Sequence, residues 1–365
     1  MIIYDPHSDD NLFTPLSYFL GRRRALNKYK YIRDHLIENK ALKIYFSFKT
    51  SSLPMALTNI LPLWLFKVVV KLEVRLWCLI NGIDKDVIVK CIRDENVLCF
   101  GYKKFATLTH DEVRSTKKFF THITHYHTYP YNSVYLEDNF YILFDNDVSN
   151  HSYFISKFPG YSKDIIIMPF YVQDRFYNYS SNIERVGIAV TGTYHDYCPL
   201  SVDFGIYNRG RTTLHPVRHE ISNLSLDSNF KIKLGLYENP HTLRALIVKL
   251  FSYGQKEYFS FDIQHFYNEA RYALVAGEGN GAIAIGALEA LASGCIPLLT
   301  RNEVKGLGLS EKSYVEYETV EDIKEQAEIL LNNFSCNYEA LKKFSQSFNY
   351  NNSKSRFSSF LMSCD

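Results

Sequence analysis

Short apolar runs and amphipathic stretches alternate along the whole chain. In the first half, Ala41–Phe48, Asn96–Tyr102, Asn139–Asp147 and Lys163–Val172 are continuous apolar, aromatic-rich runs, the pattern of buried strands. His110–Phe120 opens with acidic residues and has helical spacing, so a helix is expected there. The polar stretch Tyr177–Arg185 is the expected linker. In the second half Val186–Tyr194, Phe230–Leu236, Arg271–Gly277 and Cys295–Thr300 are the expected strands. Thr212–Leu224, Thr242–Gly254, Asp262–Ala270, Ala284–Gly294, Thr319–Phe334 and Asn337–Phe348 are the expected helices, with Pro216 in a first turn, where proline is tolerated.

A βαβα order implies parallel sheets covered by helices. Two such series in tandem predict an α/β fold of two Rossmann-like domains facing a cleft. The boundaries fall at residues 1–180, 181–340 and 341–365. The length of 365 residues also suits two cores better than one.

Charge and cysteine content narrow the functional classes. A formal net charge of +2 gives no global reason for nucleic-acid binding. The seven cysteines include no CxxC pair, so neither a zinc ribbon nor a disulfide framework is indicated. The acidic start "MIIYDPHSDD" is unlike a secretory leader, and no long uncharged apolar stretch reads as a membrane span. The expectation is a cytoplasmic protein.

One segment modifies that picture. Leu61–Ile80 carries Lys67, Lys71 and Arg75 at helical spacing among apolar residues that include Trp64 and Trp77. A basic stripe beside a tryptophan-bearing apolar face suits a helix lying on an anionic membrane, which would place the protein on the inner face of the plasma membrane. A core helix with snorkelling lysines is the alternative.

The texture of the chain changes at "GEGNGAIAIGALEALASGCIPLL", which starts at Gly277. It reads as the end of a strand, a glycine-rich loop, a helix of small residues and another strand. Glycines there let backbone come close to a ligand, and amides at the following helix start can hold phosphate oxygens. Glu289 lies within an otherwise apolar helix, where a carboxylate must reach solvent or bind something.

Here the sequence resembles the GT-B glycosyltransferases, and in particular members of family 4. These carry E-G-x-G followed by an L-E-A-M-A-S-G-x-P-V run, the E-x7-E signature. "EGNG" at Glu278–Gly281 and "LEALASGCIPL" at Leu288–Leu298 are similar to its two ends. The resemblance implies Glu289 on the ribose of a nucleotide-sugar donor and Glu278 near the donor sugar. Gly279, Asn280 and Gly281 would line the diphosphate. Ten residues separate the two glutamates here. That departure fits either an earlier helix start or a bulged loop. The ending "SGCIPLL" is also similar to exostosin-like transferases. The resemblance further implies that a last helix near Leu341–Met362 returns to the first domain.

The same resemblance places Gly192 and Thr193 under the diphosphate. It makes Arg218, then Arg209 and Arg211, candidate cations for the leaving diphosphate, work that needs no metal. His215-Pro216 resembles the HP motif of bacterial sialyltransferases. An inverting enzyme needs a general base near the acceptor, and the candidates are His125, His127, Asp145 and Asp147. His122, His125 and His127 lack a visible fourth ligand for zinc, so no metal is expected. The implied activity is sugar transfer to a glycan or lipid-linked acceptor, in assembly of a bacterial surface polysaccharide such as O-antigen, capsule or lipopolysaccharide. A GT-B-like nucleotide-sugar epimerase and a non-catalytic nucleotide-sugar-binding protein are the alternatives.

Overall fold

The computed structural model describes residues 1–5, 27–46, 62–80, 82–100, 108–123, 132–177, 184–195, 215–224, 229–237, 261–277, 281–325 and 336–364. The expected helix Thr242–Gly254 lies outside them, as does most of the expected linker. The chain divides into two compact units. Unit 1 comprises Met1–Phe144, Lys157–Met168 and Lys354–Asp365; unit 2 comprises Asp145–Ser156 and Pro169–Ser353.

Unit 1 is built on a parallel sheet of β1 (Ile2–Asp5), β2 (Lys43–Phe46), β3 (Ile88–Val89), β4 (Asn96–Phe100), β5 (Lys118–His122), β6 (Phe140–Phe144) and β7 (Ile166–Ile167), ordered β3-β2-β1-β4-β5-β6-β7. Strands buried on both faces need apolar residues at successive positions, which is why they read as unbroken runs rather than alternating ones. Phe119 pairs with Val97 on one side and Phe140 on the other, and its ring stacks on Phe140 with centroids 5.8 Å apart. Three helices in this part of the chain are α1 (Lys30–Glu38), α2 (Leu63–Ile80) and α3 (His110–Arg114). Helix α1 buries Tyr31, Ile32 and Leu36, each contributing roughly 1.5–3 kcal/mol.

Two expectations are corrected here. His110–Phe120 is not one helix: α3 ends at Arg114 and β5 begins at Lys118. A Thr109–Glu112 capping box starts the helix, and the aromatic pair Phe119–Phe120 then joins the sheet. Of Lys163–Val172 only Ile166–Ile167 pairs as a strand.

Unit 2 contains the second parallel sheet, formed by β8 (Ile188–His195), β9 (Phe230–Tyr237), β10 (Tyr272–Leu274), β11 (Ile296–Leu299) and β12 (Val315–Glu316), ordered β12-β11-β10-β8-β9. Its helices include α4 (Ser152–Lys157), most of which belongs to this unit, α5 (Pro216–Asn223), α6 (Ile263–Asn268), α7 (Ile285–Ala292) and α8 (Arg301–Leu307). Pro216 occupies the first turn of α5, as its missing N–H allows. The core joins Ile188, Val190, Ile221, Leu274, Ile296 and Leu298.

The chain ends in two helices, α9 (Tyr338–Gln346) and α10 (Tyr350–Cys364), rather than the single helix expected over Leu341–Met362. Asn349 breaks them, its side chain accepting the Asn352 N–H at 2.8 Å. Within unit 1, Phe360 on α10 meets Phe120 edge-on at 5.0 Å, and Lys118 Nζ donates to the Cys364 carbonyl at 2.9 Å. Both sheets and their helices make this an α/β protein with two Rossmann-like units.

Candidate functional site

In unit 2 the chain passes from β8 to β9 on one side and to β10 on the other. That reversal of strand order leaves a crevice at the carboxyl ends of β8 and β10, where open α/β sheets place ligands. Gly192–Thr193 lies in the carboxyl-terminal half of β8, Gly277 follows β10, and Thr300 follows β11. Gly192 and Thr193 thus lie at the same end of the sheet as Gly277 and Thr300.

Arg218 fastens this edge from α5. Its Nε–H donates to the Ala276 carbonyl at 2.7 Å and Nη1 donates to the Thr193 carbonyl at 2.8 Å. The side chain is buried. Arg218 thus clamps the ends of β8 and β10 together, a structural task beyond the phosphate-facing one expected for it. Gly192 has φ +140°, and a Cβ there would lie 2.6 Å from Arg218 Nε. Glycine is needed for the guanidinium to pass.

Glu303 fastens the other side. It is the third residue of α8 in a capping box: Oε2 accepts the Thr300 N–H at 2.8 Å and the Thr300 hydroxyl at 2.9 Å. Oε1 also accepts the Gly277 N–H at 3.2 Å, which ties the glycine-rich loop to α8. Burial pushes this carboxyl up, and the Thr300 and Gly277 donors and the Arg218 charge only partly offset it. The sequence reading missed Glu303, although the spacing Thr300-x-x-Glu303 is itself a capping signal.

Gly281 closes the loop at φ +80°, a left-handed conformation that side chains other than glycine rarely adopt. Helix α7 starts at Ile285, one turn before Glu289. Glu289 is half-buried on α7. Glu278, Gly279 and Asn280 lie outside the described residues, as do Arg209, Arg211, His125 and His127.

Asp147 is exposed and belongs to unit 2. Its Oδ1 accepts the Ser149 hydroxyl at 2.6 Å and the Ser149 N–H at 3.0 Å, which hold its carboxyl below the usual range. A carboxylate held that way is a poorer proton acceptor than a free one. His122 sits wholly buried at the end of β5, stacked on Phe100 at 5.2 Å and edge-on to Tyr29 at 4.2 Å. Burial lowers its pKa to about 3, although a hydrogen bond to the Met168 carbonyl opposes the shift. It is a core histidine. Among the described residues, no three His, Cys, Asp or Glu side chains gather as a metal site.

No protein-family profile matches the sequence, and no curated protein does. Solved structures do match in fold. Sucrose-phosphate synthase from Thermosynechococcus elongatus aligns over 99% of this chain and 98% of its own, at 9% identity and a TM-score of 0.55. Anabaena Alr3699/HepE, solved with UDP and glucose, aligns over 99% of both chains at 9% identity and a TM-score of 0.53. The chain spans 60% of the length of a chain from the GtfA/B complex that it also matches, at 10% identity and a TM-score of 0.44. It spans 57% of the pneumococcal O-GlcNAc transferase GtfA, at 12% identity and a TM-score of 0.42. Its two parallel sheets with their helices, and full-length alignment to these two structures, give the chain the GT-B fold.

Proposed function

We propose that the protein is a glycosyltransferase that moves a hexose-like sugar from a nucleotide donor to a glycan or lipid-linked acceptor, with no metal ion. The observation that carries this reading is the switch-point edge of unit 2. There Gly192, Gly277 and Gly281 converge, fastened by Arg218 and Glu303, ahead of the helix that holds Glu289. Main-chain amides at such an edge bind phosphate oxygens without a metal. Glu289 takes the ribose hydroxyls, and Gly279, Asn280 and Gly281 the diphosphate. Arg209 and Arg211 remain the cations for the leaving group, because two arms of Arg218 already hold main chain. Glu278 lies by the donor sugar, and His125 is the general base. HepE, solved with UDP and glucose, supports a uridine donor as the first to test.

The setting we infer is assembly of a bacterial surface polysaccharide at a membrane. Helix α2 supports it, because it exposes Trp64 (66%), Val68, Leu72 (52%), Leu76, Leu79 (76%) and Ile80 along one slanting stripe. Arg75 is exposed beside Leu72 and Leu79, and the sequence places Lys71 one turn and Lys67 two turns before it. Exposed apolar side chains with a cation among them complement an anionic lipid surface. Among the described residues no helix is long and apolar enough to cross a membrane.

The test is a thermal-shift screen against UDP-, GDP-, dTDP- and CMP-sugars, repeated with Glu289→Ala. A rise with one nucleotide family, lost in the variant, is expected, since a ligand that binds only the native state stabilises it by mass action. No rise with any donor would overturn the reading. Binding without turnover on any acceptor would favour the non-catalytic alternative, and conversion of the donor sugar without an acceptor the epimerase.

A further inference from the structure

The glycine-rich loop has a neighbour that the function above leaves unused. Asp145–Ser156 follows β6 in sequence but packs in unit 2, alongside α8. The Asp147 N–H donates to the Gly306 carbonyl at 3.1 Å, and the Asn146 amide packs so close to Gly306 that a Cβ there would be 2.2 Å away. The segment then turns, the His151 N–H donating to the Val148 carbonyl at 2.9 Å and the His151 carbonyl accepting from Ile155 at 3.1 Å. The result is that the His151 ring is delivered to Gly281. Its Nδ1 lies 3.1 Å from where a Gly281 Cβ would stand, with the Asn302 side chain at the same distance.

His151 is only 4% exposed; its ring makes a weak main-chain contact with Asn302 that falls short of full hydrogen-bonding geometry, and it has no closer partner among the described residues. The Asp147 carboxylate and the Asn302 main chain act on it as weaker neighbours that raise its pKa, but burial dominates and keeps it below the ordinary value. A buried polar nitrogen left without a full hydrogen bond is costly, so its retention calls for a ligand or a water. A neutral imidazole offers one N–H donor and one bare acceptor. A hydroxyl group, which can donate or accept, satisfies either nitrogen.

We propose that His151 is a sugar-contacting residue, its Nδ1 sharing a hydrogen bond with a hydroxyl of the transferred sugar where it lies against Gly281. The proposal deepens the donor reading above and rests on it. No role in proton transfer is assigned.

The experiment is titration calorimetry of the full chain with UDP-glucose and with UDP, comparing wild type, His151→Phe and His151→Gln after thermal melts confirm that each is folded. His151→Phe should weaken UDP-glucose by about tenfold and leave UDP unchanged, because a hydrogen bond is lost only with the sugar. His151→Gln, which keeps a donor and an acceptor, should recover part of the loss. Equal affinity of wild type and His151→Phe for UDP-glucose would overturn the proposal while leaving the donor reading intact, as would equal losses for UDP and UDP-glucose. If wild type binds neither nucleotide, the uridine donor fails, and the His151 ring signals are followed by NMR as free glucose is added. A shift confined to His151 would keep the hydroxyl site, and no shift would remove it as well.

Discussion

Glu303 Oε1 accepts the Gly277 N–H at 3.2 Å across 26 residues of sequence, so one carboxylate caps α8 and pins the glycine-rich loop. Three donors converge on it, and its burial leaves water little share in satisfying them. Glu303→Ala should cost roughly 2–4 kcal/mol, read as a lower urea midpoint. Because burial raises its folded pKa, the folded state binds more protons than the unfolded chain above the ordinary value of 4.5. Stability tied to this group is therefore full below 4.5 and declines as pH rises through the raised value. Glu303→Gln cannot titrate, so its deficit against wild type should shrink as pH rises. A deficit constant across pH would show an ordinary carboxyl.

Gly192 and Arg218 make a coupled pair. A Cβ at position 192 would press on Nε, Cδ and Cζ of Arg218, and relief means withdrawing the guanidinium from the Ala276 or Thr193 carbonyl. Gly192→Ala and Arg218→Lys should each lower the ligand-free stability by about 2–3 kcal/mol. Both remove the same clamp, so the double variant should fall well short of the sum. Full additivity would mean that the two substitutions act separately. An Arg218→Lys chain as stable as wild type would assign Arg218 to ligand alone.

His122 dictates a different pH limb. Its folded pKa of about 3 lies below the ordinary 6.5, so the unfolded chain binds the extra proton as pH falls. Stability linked to His122 is present above 6.5 and lost on acidification towards 3. The expected slope is about 1.4 kcal/mol per pH unit within that window. His122→Leu should abolish that slope even if it lowers stability overall. Denaturant titrations at several acidic pH values would decide, and an unchanged slope would rule His122 out.

The strands of unit 2 were legible because each apolar run had turn-forming residues at its ends, and Pro216 marked its helix. The short α3 and β5 were not, since Val113, Phe119 and Phe120 fit a helical face and an apolar strand run equally well. Only pairing with β4 and β6 decides between them. In the site, glycines announced the loop, yet what holds it could not be read from spacing. Glu303 meets Gly277, and His151 meets Gly281, through packing between segments far apart in sequence. Arg218 was picked out for its charge, while its geometry adds a clamp on two carbonyls. The same holds for Asp147, whose carboxylate caps its own turn at Ser149.

Helix α2 supports a prediction independent of the donor site. Six exposed apolar side chains on one helix are unusual on a lone water-facing surface, and Arg75 among them gives that face a sign. Vesicles of phosphatidylglycerol should therefore co-sediment the protein and vesicles of phosphatidylcholine should not, with binding weakened by salt. Leu72→Ser with Leu76→Ser and Leu79→Ser should abolish the association, since each leucine contributes through the area it buries in lipid. Arg75→Glu removes one favourable charge and adds an unfavourable one, a change of about 2 kcal/mol, or roughly thirtyfold in affinity. These residues lie on the outer surface of α2, so the variants should melt like wild type. Binding to phosphatidylcholine as strong as to phosphatidylglycerol would leave the apolar stripe without its electrostatic partner. Binding to neither, with the melting temperature raised by the leucine substitutions, would make the stripe a liability and not a membrane contact.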